Sequence, residues 1–297
     1  QLQTTTIICA PDSPTLGKLI KPKLLPKDIV LLKGSRGIAM EKSLQVMKPN
    51  YKDWNIAVLG MGRSGQAAAQ LALQQNAHVT CIDKTPNAPI IEGCKHQYGD
   101  KTIDLTGQQL LILSPGISKE NPIVQQAVEK QIPIIGELGF AAQHISMPIL
   151  AITGTNGKSS TAWYTKQLLA QVGYKPFIGG NFGQALSLLA LKPMPYNVAV
   201  VEVSSYQMEF PGEFHPKAAV ALNLTPDHLA RHKTLDVYAQ LKREIFSQQQ
   251  ESDYAISAYG TPTLHSQGKG KQLWLHHFPG VHINDQTLQF QGTPDDG

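Results

Sequence analysis

The chain has 297 residues, of which 41% are apolar and 16% charged; that suits a globular α/β protein of about two domains. A net charge of +4, scattered along the chain, gives no reason to expect a nucleic-acid partner, and Cys9, Cys81 and Cys94 are too few and too irregular for a disulfide framework or a zinc site. No apolar run approaches the ~20 residues of a membrane helix, and Gln1-Leu2-Gln3 does not open a signal peptide, so a cytoplasmic location without membrane insertion is expected. The chain opens without Met and stops on Thr293-Pro294-Asp295-Asp296-Gly297, which reads as a loop, so a piece of a longer polypeptide is expected.

Residues 1–47 read as a short unit of their own. Asp28 to Lys33 has the pattern of a buried strand, Gly34-Ser35-Arg36-Gly37 that of a loop, and Met40 to Met47 that of a starting helix. Residues 48–53 form a polar break with the helix-stopping Pro49, a linker. From Ile56-Ala57-Val58-Leu59 onward strands and helices alternate, which predicts a parallel, doubly wound sheet. A second boundary is expected between Ala141 and Pro148, separating a domain over 54–146 from another over 147–297.

The first of these domains opens on Gly60-Met61-Gly62-Arg63-Ser64-Gly65, between a strand and a helix. Asp83 ends the next strand, 18 positions beyond Gly65. By itself this fits a dinucleotide fingerprint, with Asp83 on a ribose hydroxyl and an NAD-dependent oxidoreductase as the function. A backbone loop at a helix N-terminus recognises a diphosphate, however, and serves a nucleotide-sugar equally well. A further loop, Ser114-Pro115-Gly116-Ile117, follows the strand Leu110 to Leu113, where ligands of open parallel sheets collect.

The strand Pro148 to Ile152 then runs into Thr153-Gly154-Thr155-Asn156-Gly157-Lys158-Ser159-Ser160. Glycines that let N–H groups converge, a helix N-terminus and a lysine make a cradle for a nucleotide triphosphate, with Ser159 offering a hydroxyl to magnesium. A standard P-loop places Gly five positions before Gly157, where this chain has Ile152. An ATP loop is something a hydride-transfer enzyme does not need, which favours the nucleotide-sugar reading of the first loop.

Farther on, Asn197 to Val201 reads as a strand delivering Glu202, a natural magnesium ligand beside a phosphate loop. Ser204 or Ser205 with Gln207 also resembles a helix cap, and both readings can hold together. The strand Ala218 to Leu224 leads to Thr225-Pro226-Asp227-His228. His228 is either structural, as most lone histidines are, or a metal ligand after a strand of an ATP-binding sheet. Tyr238 to Phe246 reads as a helix with Tyr238, Leu241 and Ile245 on its apolar face and Lys242 on solvated surface.

The order and spacing of Gly60 to Gly65, Ser114 to Ile117, Gly154 to Ser159, Gly179-Gly180-Asn181-Phe182-Gly183, Glu202 to Gln207, Asp227-His228 and Tyr238 to Lys242 resemble the Mur ligases, and among them the D-glutamate-adding (MurD) group, over residues 54 to about 292. The resemblance implies a Rossmann-like UDP-binding domain followed by a P-loop-type ATP-binding central domain. It implies that Arg63, Ser64, Asp83, Lys84, Thr85, Ser114, Pro115 and Gly116 hold a UDP-substrate, with Asn181 and Ser204 lining the muramoyl-peptide and phosphate region. Gly154, Thr155, Asn156, Gly157, Lys158, Ser159 and Ser160 would bind ATP. Ser159, Glu202 and His228 would ligate Mg2+, and Lys242, carbamylated in the family, would ligate a second ion; Lys158, His228 and Lys242 are the implied catalytic set.

The implied reaction joins D-glutamate to UDP-N-acetylmuramoyl-L-alanine through an acyl-phosphate, with ATP and Mg2+ as cofactors, in peptidoglycan precursor synthesis. The family's third, lid-like domain has no counterpart in these residues, so the chain alone is expected to bind nucleotide without turnover. Residues 1–47, by Val30 to Arg36 and Met40-Glu41, resemble the end of a MurF-like ligase, which implies a fused two-ligase polypeptide.

Overall fold

The computed structural model describes residues 10–20, 50–99, 103–275, 280–284 and 287–291. It divides into two compact units, 1–50 and 51–297. In the first unit the described element is helix α1 (Ser13–Ile20), whose start is held by Asp12, with Oδ1 accepting the Thr15 N–H at 2.7 Å. The strand, loop and helix expected over 28–47 lie outside the described residues.

The second unit begins with a sheet of five parallel strands: β1 (Asn55–Leu59), β2 (His78–Asp83), β3 (Lys95–Tyr98), β4 (Leu110–Leu113) and β5 (Ile134–Gly136), in the order β3-β2-β1-β4-β5. Helices α2 (Arg63–Gln74), α3 (Pro122–Glu129) and α4 (Glu137–Ala142) accompany it. Both faces of this sheet are covered, so its central strands read as unbroken apolar runs rather than alternating ones. Successive side chains still point to opposite faces: Ile56, Val58, Leu110 and Ile112 enter one core, Ala57, Leu59, Leu111 and Leu113 another. The order reverses between β1 and β4, and a crevice opens there at the carboxyl ends of the strands.

The second sheet contains β6 (Ile149–Thr153), β7 (Pro176–Gly180), β8 (Val198–Glu202), β9 (Ala218–Ala221), β10 (Tyr254–Ala258), β11 (Lys271–Leu275), β12 (Gly280–Asn284) and β13 (Thr287–Gln291). Their order is β13-β12-β11-β10-β9-β6-β8-β7, parallel except for the antiparallel β12–β13 pair. Its helices are α5 (Lys158–Gln171), α6 (Leu186–Leu191), α7 (Leu229–His232) and α8 (Leu235–Arg243). Ile149, Ala151, Ala199 and Val201 share one core with Ile56 and Val58, so the two sheets bury a common apolar layer. At that seam the buried Glu137 accepts the Ser187 N–H at 2.7 Å; burial raises its carboxyl above the usual range despite that bond.

Two element boundaries differ from the sequence reading by more than one residue. The strand expected to reach Leu224 ends at Ala221, because the Asn223 side chain turns to the facing loop instead of continuing the ladder. The helix expected from Tyr238 starts at Leu235, where Thr234 accepts the Val237 N–H, and its last turn, Glu244–Phe246, is a 3-10 turn.

Candidate nucleotide sites

The crevice of the first sheet is shaped by its glycines. Gly60 adopts a left-handed φ of +91°, and a Cβ on Gly65 would stand 1.8 Å from the Gly60 carbonyl oxygen. Ser114 Oγ donates to that same carbonyl at 2.7 Å, tying the loop after β4 to the loop after β1. Asp83 braces the loop from the end of β2, with one carboxylate oxygen accepting the Met61 N–H at 2.6 Å and the other the Thr85 N–H at 2.8 Å. Burial pushes its carboxyl up, but those N–H groups and nearby Lys84 outweigh it and hold the group below its ordinary value. Asp83 is thus a loop fastener, a role the sequence did not indicate.

A cleft of about 520 Å³ lies beside these loops, lined by Gly60, Asp83, Lys84, Ile117, Asn121 and Gln126 among others. Arg63 and Ser64 open α2; Thr85 and Gly116 are exposed, and Pro115 is half-buried. Asn121, missed in the sequence, accepts the Ile123 N–H and caps α3; the Asn-Pro pair was the available signal. Gly65→Ala should destabilise the chain by about 1–3 kcal/mol through this overlap, read as a lowered midpoint in thermal unfolding; an unchanged midpoint would mean the loop has room to open.

In the second sheet β6 lies between β8 and β9, and the loops after all three converge. Gly154 and Gly157 take φ of +148° and +82°, which any side chain would strain. Asn223 holds the loop from the β9 side: its Oδ1 accepts the Thr155 N–H at 3.1 Å and the Asn156 N–H at 2.9 Å, and its Nδ2 donates to the Asn156 carbonyl at 3.0 Å. Sequence reasoning missed Asn223, since an Asn after a strand carries no signal without knowing which strand lies beside it. Asn156, Gly157, Ser159 and Ser160 are exposed at the start of α5, while Lys158 turns back to donate to the Thr155 carbonyl at 2.9 Å.

From the β8 side the buried Glu202 accepts from Ser159 Oγ at 2.6 Å and from Asn181 Nδ2 at 2.7 Å. Asn181 therefore sits at the phosphate loop. A hydroxyl and a carboxylate brought together as hard oxygen donors fit Mg2+, which keeps most of its shell for water and phosphate. His228 has a left-handed φ of +52°, is exposed beside Asp227, and its ring lies 5.0 Å from that of Tyr206 and 6.2 Å from that of Tyr238. Among the described residues no three His, Cys, Asp or Glu gather to hold a metal. Ser204 and Gln207 do bond each other, the Ser204 N–H and hydroxyl both donating to Gln207 Oε1 at 2.9 and 3.1 Å. The 3-10 turn Gln207–Glu209, however, has Tyr206 at its N-cap position and no side-chain cap.

The solvated-surface reading of Lys242 is wrong. Lys242 is 1% exposed, donates to the Gly154 carbonyl at 2.7 Å, and has its Nζ 4.4 Å from the Tyr238 ring centroid. Tyr238 and Lys242 are four residues apart on α8, so both lie on the face that rides against the phosphate loop. Burial, then the charge of Lys158, lowers the amine to about 7, against a smaller opposing effect of Asp227.

Two mainly parallel sheets, each with a glycine loop at its switch point and joined through one core, have the architecture of nucleotide-binding α/β proteins. Residues 54–136 match the family described as Mur ligase MurD-like, N-terminal domain, and residues 152–281 that described as Mur ligase middle domain. The chain belongs to the Mur ligases. Within them it is MurD-like. It is 36% identical to the UDP-N-acetylmuramoylalanine–D-glutamate ligase of Anaeromyxobacter dehalogenans (strain 2CP-C), over 77% of this chain and 52% of the relative. It is also 36% identical to the enzyme of that name from Caldanaerobacter subterraneus subsp. tengcongensis, over 71% of this chain and 49% of the relative. The chain thus spans about half the length of the curated relatives it matches. A crystal structure of the UDP-N-acetylmuramate:L-alanyl-gamma-D-glutamyl-meso-diaminopimelate ligase from Neisseria meningitides shares the fold, with a TM-score of 0.52 at 15% identity over 80% of this chain and 85% of that one. No helix among the described residues is long and apolar enough to cross a membrane.

Proposed function

We propose that this chain supplies the UDP-substrate and ATP sites of an enzyme that joins D-glutamate to UDP-N-acetylmuramoyl-L-alanine in peptidoglycan precursor synthesis. The observation that carries the reading is the pairing of two phosphate-type loops at the switch points of two sheets, the second with a Ser159–Glu202 oxygen pair beside it. The UDP-substrate lies along Arg63, Ser64, Asp83, Lys84, Thr85, Ser114, Pro115 and Gly116, in a domain over 54–146. ATP lies on Gly154 to Ser160 in a domain over 147–297, with Asn181 and Ser204 toward the muramoyl-peptide. Residues 48–53 link these to a MurF-like segment over 1–47, part of a fused polypeptide, in the cytoplasm.

The terminal carboxylate oxygen of the UDP-substrate attacks the γ-phosphorus of ATP, and ADP leaves. The amine of D-glutamate then attacks the acyl carbon, loses a proton, and phosphate departs. Ser159 and Glu202, with His228 as a further ligand, would hold Mg2+, and a carbamylated Lys242 would hold a second ion; bound metal would supply neutralisation of phosphate charge. Lys158 and the N–H groups of 157–160 hold the transferring phosphoryl group in line, which is what such chemistry chiefly asks of a protein. Calorimetry with UDP-N-acetylmuramoyl-L-alanine and with NAD tests the reading: the UDP-substrate should bind and NAD should not. Tighter binding of NAD would replace this proposal with a nicotinamide-dependent oxidoreductase.

A further inference from the structure

One side chain beside the second sheet reaches the loop after β4 and has no part in the proposed reaction. Arg231, on α7, directs Nη2 to the Ile117 carbonyl at 2.7 Å and Nη1 to the Gly116 carbonyl at 3.2 Å. The guanidinium is itself fixed by Glu209, which accepts from Nε at 2.8 Å and from Nη2 at 2.7 Å, and it lies 4.8 Å from the Tyr206 ring centroid. The pair is mostly buried, with side-chain exposures of 18% and 7%. Hydrogen bonding to Glu209 raises the guanidinium above its ordinary value, so it is charged at every working pH.

A planar fork with both edges occupied is stiff. Peptide planes are rigid, so holding two consecutive carbonyls fixes the course of the loop that contains them. That loop forms part of the cleft: Ile117 lines it, and Ser114 three residues earlier ties down Gly60. The other end of the arrangement is equally well placed. Arg231 lies three residues beyond His228, which caps the same short helix, and the Tyr206 ring that carries the guanidinium also packs on His228.

We propose that Arg231 is a positioning residue for the UDP-substrate: from the ATP-side sheet it sets the 114–117 wall of the cleft on the UDP-side sheet. This rests on the reading of that cleft as the UDP-substrate site. Glu209 serves by orienting the fork, and Tyr206 by supporting its face. The cleft on the first sheet is therefore finished by a residue of the second.

The test uses the full 297-residue chain with Arg231→Ala, Arg231→Lys and Glu209→Gln. Loss of two charge-assisted bonds to the loop should weaken UDP-N-acetylmuramoyl-L-alanine by about ten- to a hundredfold in calorimetry. Mg-ATP affinity should change less than about twofold, since neither residue touches the phosphate loop. Arg231→Lys should recover part of the loss, because one ammonium cannot span both carbonyls. Hydrogen exchange at the amides of 116–118, measured without ligand, should quicken at least about tenfold in the alanine variant. Unchanged exchange there, or equal weakening of both ligands, would overturn the assignment of Arg231. Faster exchange in a protein whose wild type ignores the UDP-substrate would leave the clamp standing and overturn the site it is said to serve.

Discussion

Lys158→Ala is expected to weaken Mg-ATP binding by about a hundredfold or more, roughly 3 kcal/mol, without unfolding the chain. The ammonium is half-buried at the start of α5 and donates to the Thr155 carbonyl of its own loop, so its removal takes a charge from the phosphates and little from the core. Glu202→Gln should act differently. The residue is 2% exposed and receives both Ser159 and Asn181, and an amide of the same size keeps the packing but loses the charge that a divalent ion needs. Nucleotide should then bind with an affinity that no longer depends on magnesium. Titrations with ATP in magnesium and in chelator separate the two effects. An alanine variant at 158 that binds Mg-ATP like wild type, or a glutamine variant at 202 that still responds to magnesium, removes that residue from the site.

The second large effect is a pH dependence centred on Lys242. Its amine has a native value of about 7, against roughly 10.4 for a lysine in water. The folded value lies below the unfolded one, so between about pH 7 and 10 the unfolded chain carries the extra proton. Stability from this group must rise with pH across that window, by at most about 1.4 kcal/mol per pH unit, and be lowest below it. Lys242→Met should abolish that rise, which denaturant titrations of the two proteins at pH 6.5 and about pH 9 would reveal; parallel behaviour of the two would show that the lysine is not buried as described.

The same depressed value leaves much of the amine uncharged near neutral pH, with a free lone pair. A neutral amine can add to CO2, forming a carbamate N–C bond and releasing a proton, and the product would exchange a cation for an oxygen donor beside the phosphate loop. Carbon NMR with labelled bicarbonate should then show a carbamate carbon in the wild type that Lys242→Arg lacks. To form it, Nζ must let go of the Gly154 carbonyl it now holds at 2.7 Å.

The sequence by itself determined the parallel architecture, both glycine loops, and the acid at the end of β8. Each is a local requirement: a left-handed φ at Gly60, Gly154 and Gly157 calls for glycine, and a parallel strand covered on both faces must be apolar throughout. The pairing of Ser204 with Gln207 was legible for the same reason, since its partners are three residues apart. The tertiary structure alone decided the rest. Lys242 has the spacing of a solvated face, and only the docking of α8 on the Gly154 turn buries it. Asn223 and Arg231 act on residues 67 and 114 positions away, and no pattern along the chain encodes which loops two sheets will bring together. Asp83 ends a strand as a ribose ligand would, yet its oxygens close on the Met61 and Thr85 amides because β2 lies beside β1. Local conformation follows from the side chain at a position; a partner across the fold follows from sheet order, which is a property of the whole chain.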